Sequence, residues 1–269
     1  MTDPARDEPR AKKSLGQHFL RNEGVCRRIA QLLNPDSGDS VLEIGPGPGA
    51  LTRALEAQAH RSLLLLEKDH HWAAERQRLA APGTQAVLMD ALRFDWRRIT
   101  PEAGWKIVGN LPYNVASPLI WDIVSQSGAE RCVFMVQKEV GLRLAAPPGS
   151  RQYGALSVWV QAHSRPRLEF SLGPGAFSPP PKVDSAVLSF VPTPPEARPR
   201  SPAMLKRLLR ICFQQRRKQL GGIFSRAGLG WLAAELPGLG LGPQLRPEAL
   251  PVEAFLRLSE LMAAARAAD

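Results

Sequence analysis

Four consecutive residues, Asn110-Leu111-Pro112-Tyr113, carry groups that could hold the amine of a nucleobase. The Asn110 side-chain oxygen and the Leu111 carbonyl are two hydrogen-bond acceptors, and Pro112 biases Leu111 toward an extended backbone. Tyr113 offers a ring on which a flipped base can stack. Two acceptors would favour the localised lone pair that the amine of adenine needs to attack an alkyl donor. The alternative is an ordinary turn after a strand.

A second segment, 43–49, reads Glu-Ile-Gly-Pro-Gly-Pro-Gly and lies between an apolar strand and a helix. Gly45 and Gly47 permit a tight turn and a close approach of backbone to a ligand. Pro46 and Pro48 have no amide hydrogen, so the loop offers few donors to a pyrophosphate. This pattern favours a nucleoside cofactor without phosphate, such as S-adenosylmethionine, over a dinucleotide.

Two carboxylates, Glu67 and Asp90, lie at the ends of the two strands that follow the glycine loop. Glu67 ends the strand after the glycine loop, where an acidic group in doubly wound folds binds both ribose hydroxyls. Asp90 follows the third strand, where it could accept a hydrogen bond from the adenine amino group of the cofactor. The alternative for each is a solvated carboxylate at a strand end.

Apolar strands alternate with helices along the first part of the chain, which predicts a mostly parallel sheet covered on both faces. The predicted strands are 40–44, 61–67, 85–89, 106–109 and 131–137, and the predicted helices are 22–33, 50–58, 71–79 and 116–125. Two further strands, 167–172 and 185–191, lack an intervening helix, so one is expected to be antiparallel. By analogy, this is the α/β Rossmann-like class I methyltransferase fold, with seven strands.

The chain is expected to divide into four parts. A basic, disordered leader at 1–13 precedes a methyltransferase domain at 14–192. The segment from Pro192 to Pro202 holds five prolines among charged and small residues, which indicates a stiff linker, placed at 193–202. The remainder, 203–269, has a helical pattern and is predicted to be a small RNA-binding domain.

Composition narrows the functional classes. A formal net charge of +10, from 35 basic and 25 acidic residues, points to a polyanionic partner. The three cysteines, Cys26, Cys132 and Cys212, have no zinc spacing, and no metal is expected. Their sparse use fits a reduced compartment, and no signal peptide or membrane-length apolar run is evident, so a cytoplasmic protein is expected.

Together, these motifs resemble the small-subunit (16S) ribosomal RNA adenine dimethyltransferase family, also called KsgA/RsmA. The resemblance rests on segments 13–20, 43–49, 110–113, 177–183 and 213–218, which occur in the family's order. It implies methyl transfer from S-adenosylmethionine to the exocyclic amines of two adjacent adenosines in the 3′-terminal hairpin loop of 16S rRNA. The expected product is N6,N6-dimethyladenosine. The expected partner is the 16S rRNA within an immature 30S subunit, and the protein is expected to be a monomer.

The resemblance and the motifs also identify candidate site residues. The candidates for catalysis are Asn110, Leu111, Pro112, Tyr113 and Phe177, the last held by Pro179-Pro180-Pro181 against the second face of the base. The alternative for Phe177 is a core residue. The candidates for cofactor binding are Gln17, His18, Leu20, Gly45, Gly47, Glu67, Lys68, Asp90, Ala91 and Asn110. At His18 the family usually has asparagine.

Basic residues in the leader and at the start of the helical part are candidates for RNA binding, although a charged run on a helix is usually a solvated face. They are Lys12, Lys13, Arg21, Lys206, Arg207, Arg210, Arg216, Arg217 and Lys218. Two other functions remain open: a 23S rRNA adenine methyltransferase of the antibiotic-resistance type, and a non-catalytic ribosome-assembly factor that binds RNA.

Overall fold

The structure is a computed structural model that describes residues 17–268. A seven-stranded sheet has the order β4-β3-β2-β5-β6-β9-β7, and a separate two-stranded sheet pairs β1 with β8. The strands are β1 (Phe19–Leu20), β2 (Ser40–Ile44), β3 (Ser62–Glu67), β4 (Thr84–Leu88), β5 (Trp105–Asn110), β6 (Arg131–Gln137), β7 (Ser164–Leu172), β8 (Phe177–Ser178) and β9 (Ser185–Pro192). The α/β class I methyltransferase fold predicted from the sequence is confirmed, including a mostly parallel sheet with an antiparallel pairing.

Ten α-helices are found within residues 17–268, together with several short 3-10 turns. They are α1 (Glu23–Leu33), α2 (Ala50–Glu56), α3 (His70–Arg78), α4 (Ala116–Gln126), α5 (Lys138–Leu144), α6 (Ala155–His163), α7 (Pro202–Gln214), α8 (Leu220–Arg226), α9 (Trp231–Glu235) and α10 (Val252–Ala268). Asn22 caps α1 through its side chain, which accepts from the Val25 amide, as expected for an asparagine before an amphipathic helix.

Strand β2 fixes the geometry of the sheet because all five of its residues are buried and it pairs in parallel with β3 and β5. Ile44 at its end lies opposite Leu66 on one side and Gly109 on the other. The next residues along these three strands therefore emerge at the same carboxyl edge. In open α/β sheets this edge is where ligands bind.

The chain groups into two compact units. The first runs to Leu119 and adds Ser127–Lys138 and Glu169–Ser189. The second comprises Ile120–Gln126, Glu139–Leu168 and the chain from Phe190 onward. The single division at 193–202 that the sequence suggests stays a prediction.

Within the second unit, helices α6, α7 and α10 pack against one another. Helix α7 buries one apolar face, formed by Met204, Leu205, Leu208, Leu209 and Cys212. Trp121 and Trp159 stack nearly in parallel, with ring centroids 4.2 Å apart. A cluster of this kind gives the second unit an apolar core of its own.

Glu43, the second-last residue of β2, is a buried carboxyl group that is only 1% exposed and accepts a hydrogen bond of 2.7 Å from the Thr52 hydroxyl. Burial raises the pKa of Glu43 from 4.5 to about 8. Between those pH values the folded chain keeps a proton that the unfolded chain has released, so stability falls as pH rises through this window.

We therefore expect Glu43→Gln to be more stable than the wild type near pH 8, by roughly 1–3 kcal/mol, because the amide carries no charge to bury. The measurement is the free energy of unfolding by denaturant between about pH 5 and pH 8. In the variant, the slope of this free energy against pH should lack the contribution of the one proton that Glu43 keeps in the folded state. Glu196→Gln, at an exposed carboxylate, is the control. Identical pH slopes for Glu43→Gln and the wild type would contradict the assignment of a buried neutral acid.

Candidate active site

A cleft of about 890 Å³, open to solvent, lies in the first unit at the carboxyl edge of the sheet. The residues predicted from the sequence that line it are Gln17, His18, Gly45, Gly47, Glu67, Lys68, Asp90, Ala91, Asn110, Leu111, Pro112 and Tyr113. The structure thus brings the predicted cofactor loop and the Asn110–Tyr113 segment to one place.

The three glycine amides of the loop at 45–49 already donate hydrogen bonds to acceptors within the protein. Gly45 N–H donates to the Leu66 carbonyl at 2.9 Å, and Gly49 N–H donates to the Pro46 carbonyl at 2.9 Å. Gly47 N–H donates to Glu67 Oε2 at 3.0 Å. Since the intervening prolines have no amide hydrogen, segment 45–49 offers no backbone donor to a phosphate. This agrees with a ligand that lacks phosphate.

Glycine is required at the centre of this loop for two reasons. Gly47 has a φ of 48°, in the left-handed region. A Cβ at Gly47 would also lie 2.9 Å from the ring of Phe19. The loop therefore passes directly beneath the segment that contains Phe19, and a side chain at Gly47 would push the two apart.

Glu67 is the buried acid of the cleft, with 6% of its surface exposed. Its Oε1 accepts from the Asp69 amide at 2.8 Å, and its Oε2 accepts from Gly47. Burial raises the pKa of Glu67, while these two amide bonds act in the opposite direction. Each carboxylate oxygen can accept a further bond, so the group is suited to a pair of hydroxyls.

Asp90 lies at the mouth of the cleft beside Lys68, whose ammonium is 2.9 Å from Asp90 Oδ2. The hydrogen bond from Lys68 lowers the pKa of Asp90. The other oxygen, Oδ1, accepts from the Leu92 amide at 3.0 Å. Asp90 is thus an ionised acceptor in the position predicted for contact with an adenine amino group.

Asn110 ends β5 and its amide orientation is determined by one contact. Asn110 Nδ2 donates to the His18 carbonyl at 2.8 Å. A carbonyl oxygen can only accept, so the nitrogen must face His18 and Oδ1 must point the other way. Oδ1 is therefore available as the acceptor that the sequence predicted.

Tyr113 is held at both its ring and its hydroxyl. Its ring stacks on His18, with centroids 5.6 Å apart and planes 25° from parallel. Its hydroxyl forms a 2.7 Å hydrogen bond with Ser185. Burial raises the pKa of Tyr113, so the phenol remains neutral.

Two predicted site residues lie elsewhere. Phe177 and Leu20 are register partners in the β1–β8 pair, and each is buried, with 6% exposed, in the apolar core of the first unit. Neither lines the cleft in this structure. The packing of Phe177 matches the alternative of a core residue, and a stacking role for it stays a prediction.

The sequence analysis did not identify two residues that line the cleft, Phe19 and Met89, or the residue that holds the Tyr113 hydroxyl, Ser185. Phe19 lines the cleft between its predicted neighbours and packs edge-on against Trp72, with centroids 5.5 Å apart. Met89, directly before Asp90, also lines it. Ser185, which anchors Tyr113, is 72 residues away in sequence. The motif positions of Phe19 and Met89 were a usable signal, whereas nothing in the sequence indicates Ser185.

The basic residues predicted for RNA binding have different environments. Lys12 and Lys13 lie outside the described residues, and Arg21 is exposed. Lys206, Arg207 and Arg210 lie on the exposed face of α7, opposite its buried leucines. Helix α7 is therefore amphipathic, with one buried apolar face and one exposed, positively charged face.

Arg216 differs from its neighbours Arg217 and Lys218. Its Nε pairs with Glu248, and its Nη2 donates to the Arg151 carbonyl, both within the second unit. Arg217 and Lys218 are exposed. Arg217 and Lys218 are therefore accessible to a partner, whereas the guanidinium of Arg216 bonds to Glu248 and to the Arg151 carbonyl of its own unit. An RNA role for all three residues stays a prediction.

Replacing Arg217 and Lys218 by alanine should weaken RNA binding and reduce the slope of log affinity against log salt by about two, since each lost phosphate contact removes about 0.9. The measurement is filter binding across a salt series. Arg216→Ala is the matched comparison, and it should instead lower the thermal midpoint of unfolding. An unchanged salt slope in the double variant would show that these charges face solvent only.

Comparisons with known proteins show which family the chain resembles over most of its length. A sequence profile described as ribosomal RNA adenine dimethylase matches residues 9–263. The chain is 53% identical over 259 residues to the ribosomal RNA small subunit methyltransferase A of Nitratidesulfovibrio vulgaris, covering 95% of this chain and 97% of that protein. The protein of the same name from Oleidesulfovibrio alaskensis is 51% identical over 269 residues, covering 97% of this chain and 95% of that protein.

Solved structures resemble the chain over nearly its whole length. A dimethyladenosine transferase from Plasmodium falciparum superimposes with a TM-score of 0.81 at 24% identity, covering 92% of this chain and 98% of that one. The 23S rRNA methyltransferase ErmE has a TM-score of 0.69 at 25% identity, covering 90% and 98%. Within residues 17–268, no helix has the length and apolar character needed to cross a membrane. The match over most of the sequence shows that the chain belongs to the ribosomal RNA adenine dimethylase family.

Proposed function

We propose that this protein transfers methyl groups from S-adenosylmethionine to the exocyclic amines of two adjacent adenosines in the 3′-terminal hairpin loop of 16S rRNA. The product is N6,N6-dimethyladenosine at both positions. One observation carries the proposal: Gly45 follows β2, and Glu67 and Asn110 end β3 and β5. These strand ends are adjacent in the sheet, so the groups for donor and acceptor share one cleft.

The cofactor fits the cleft by its chemistry. Glu67 would accept from both ribose hydroxyls, and Asp90 would accept from the adenine amino group. The loop at 45–49 would support the nucleoside without needing to bind phosphate, since its amides are already paired. When bound, S-adenosylmethionine supplies an electrophilic methyl group.

The base site follows from the next residues. Asn110 Oδ1 points away from His18, and Leu111 lines the same cleft. Their two oxygens would accept both protons of the target amine, which localises its lone pair toward the donor. Tyr113 would stack on the extruded base. No side chain needs to act as a strong base, because positioning and electrostatics provide the acceleration.

The exposed basic residues and the family to which the chain belongs both support an RNA partner. The exposed cations of α7 and of Arg217–Lys218 suit phosphate groups of a structured RNA, which is recognised mainly by shape and backbone. The substrate is the 16S rRNA within an immature 30S subunit, the protein acts as a monomer, and the reaction takes place in the cytoplasm. The relatives at about half identity are named small subunit methyltransferases, which supports this subunit over the 23S alternative.

Mass mapping of modified nucleotides tests the proposal. Purified protein and S-adenosylmethionine are incubated in parallel with under-methylated 30S particles and with protein-free 23S rRNA. The expected result is two adjacent N6,N6-dimethyladenosines near the 3′ end of 16S rRNA and none in 23S rRNA. Modification of 23S rRNA alone would favour the antibiotic-resistance type, and tight binding without methylation would favour an assembly factor.

A further inference from the structure

We propose that Arg76, a buried arginine outside the cleft, positions the cofactor site from behind, by supporting the glycine loop at 45–49 and by placing a positive charge beside two buried acids. This inference rests on the proposed function and deepens it, since the site concerned is the one for S-adenosylmethionine. Arg76 lies in α3, within the described part of the first unit.

Arg76 is a charged side chain on the buried face of its helix. Only 9% of the side chain is exposed, and Trp72, one turn earlier on α3, is also buried. The ion pair of Arg76 with Glu75 is long, at 3.5 Å, and Glu75 also lies 3.7 Å from His71 Nε2. Among the described residues, Arg76 Nε has no hydrogen-bond partner. A buried cation is costly without compensation, so its stabilisation must come from elements other than α3.

Helix α3 supports the glycine loop at two points one turn apart. Trp72 packs edge-on against Phe19, with ring centroids 5.5 Å apart, and the Phe19 ring lies against Gly47. Arg76 lies against Gly49, where a Cβ would overlap its guanidinium. Gly49 has a φ of 82° and directly precedes α2. The guanidinium therefore packs on the backbone at the end of the loop, in the space that a side chain would fill.

The charge of Arg76 acts on the acids next to this loop. Burial is the main cause of the raised pKa of Glu43; the charge of Glu67 raises it further, and the charge of Arg76 acts in the opposite direction. Two acids that interact in this way titrate as a pair. Glu67 already holds the Gly47 amide and is the proposed acceptor for the ribose. A cation that favours the ionised pair therefore favours the form that accepts from hydroxyls.

The other titratable groups around this pair do not replace Arg76. They are Glu56, Asp69, Glu75, Cys26, Arg53 and Lys68. The three carboxylates add negative charge, and burial raises the pKa of the Cys26 thiol to about 11, so this thiol is neutral. Arg53 and Lys68 are exposed. Arg76 is thus the buried positive charge of the set.

The test compares Arg76→Met, which keeps a long side chain without charge, with Arg76→Lys, which keeps the charge without the planar guanidinium. Arg78→Met is the matched control, because Arg78 is an exposed arginine on the same helix. Calorimetry measures the affinity for S-adenosylmethionine between about pH 6 and about pH 8.5. Each affinity is divided by that of the wild type at the same pH, so that titration of the ligand cancels. Thermal midpoints show that each variant is folded, and Arg76→Gln replaces the methionine variant if that one is not.

We expect Arg76→Met to bind S-adenosylmethionine about tenfold more weakly near pH 6, because loss of the cation moves the titration of the acid pair upward by about one pH unit. The loss should shrink toward about pH 8.5, where the pair ionises without the cation, and Arg76→Lys should recover most of the loss. Single-turnover methylation at saturating cofactor should stay within about threefold of the wild type, since Arg76 acts on cofactor binding. Arg78→Met should match the wild type throughout.

A wild-type affinity at every pH in Arg76→Met would overturn the inference. A loss of the same size at every pH that Arg76→Lys does not recover would also overturn it, because a side chain that only fills space gives this pattern. Failure of the proposed function would look different. In that case the wild-type protein itself would not dimethylate 30S particles, whatever the cofactor affinities of the variants.

Discussion

Asn110→Ala is expected to lower the single-turnover rate of methylation by about 10²- to 10³-fold, the usual effect of removing one preorganised electrostatic contact from a transition state. RNA affinity should change little, because Asn110 acts on one amine and contributes no charge to phosphate binding. The two measurements are the methylation rate at saturating substrates and filter binding of the RNA.

Asn110→Asp sharpens this test. It keeps an oxygen toward the base, but its second oxygen would face the His18 carbonyl, which in the wild type accepts a hydrogen bond from the Asn110 amide nitrogen. Two acceptors cannot bond to each other, so this variant should also be slow. Activity near the wild-type level in Asn110→Ala would remove the side chain from the mechanism.

Glu67→Gln is expected to weaken binding of S-adenosylmethionine by about 100-fold, the sum of two charge-assisted hydrogen bonds. The reason is geometric as well as electrostatic. Gly47 N–H and Asp69 N–H donate to opposite oxygens of the carboxylate. An amide can accept at only one of these positions, so its NH2 group would face the other backbone donor.

Calorimetric titration with S-adenosylmethionine measures this loss, and Glu130→Gln, at an exposed carboxylate, is the control. The glycine loop should also loosen, since Glu67 is the acceptor for its central amide. An affinity within about twofold of the wild type would mean that the ribose lies elsewhere in the cleft.

The strand ends could be predicted from the sequence because the local pattern is strong there. Segments 40–44 and 131–137 are apolar throughout, and β2 and β6 have the predicted bounds. Register then follows from parallel pairing, which brings Gly45, Glu67 and Asn110 to one edge. The part of the cleft formed by the glycine loop and the ends of β3 and β5 was therefore predictable in outline.

Other elements carry little local signal. Helices α5, α6 and α8 were not predicted; α5 and α8 have seven residues each, and the sequence of α8 begins Leu-Gly-Gly, which disfavours a helix. The β1–β8 pair has two residues in each strand, far apart along the chain. Such pairings depend on tertiary packing rather than on propensity.

Contacts between distant residues account for the remaining differences. Arg216 belongs to a basic run that indicates a solvated or RNA-binding face, yet Glu248, 32 residues later, pairs with it. The orientation of Asn110 depends on a carbonyl 92 residues earlier. A single sequence contains no pattern from which either partner could be inferred.

A crystal structure with S-adenosylhomocysteine bound tests the central claim most directly. The account predicts that the ribose hydroxyls bond to Glu67, that the adenine amino group reaches Asp90, and that Asn110 Oδ1 faces the space left for the target base. A nucleoside bound outside this cleft, or an Asn110 amide with its nitrogen turned toward that space, would contradict it.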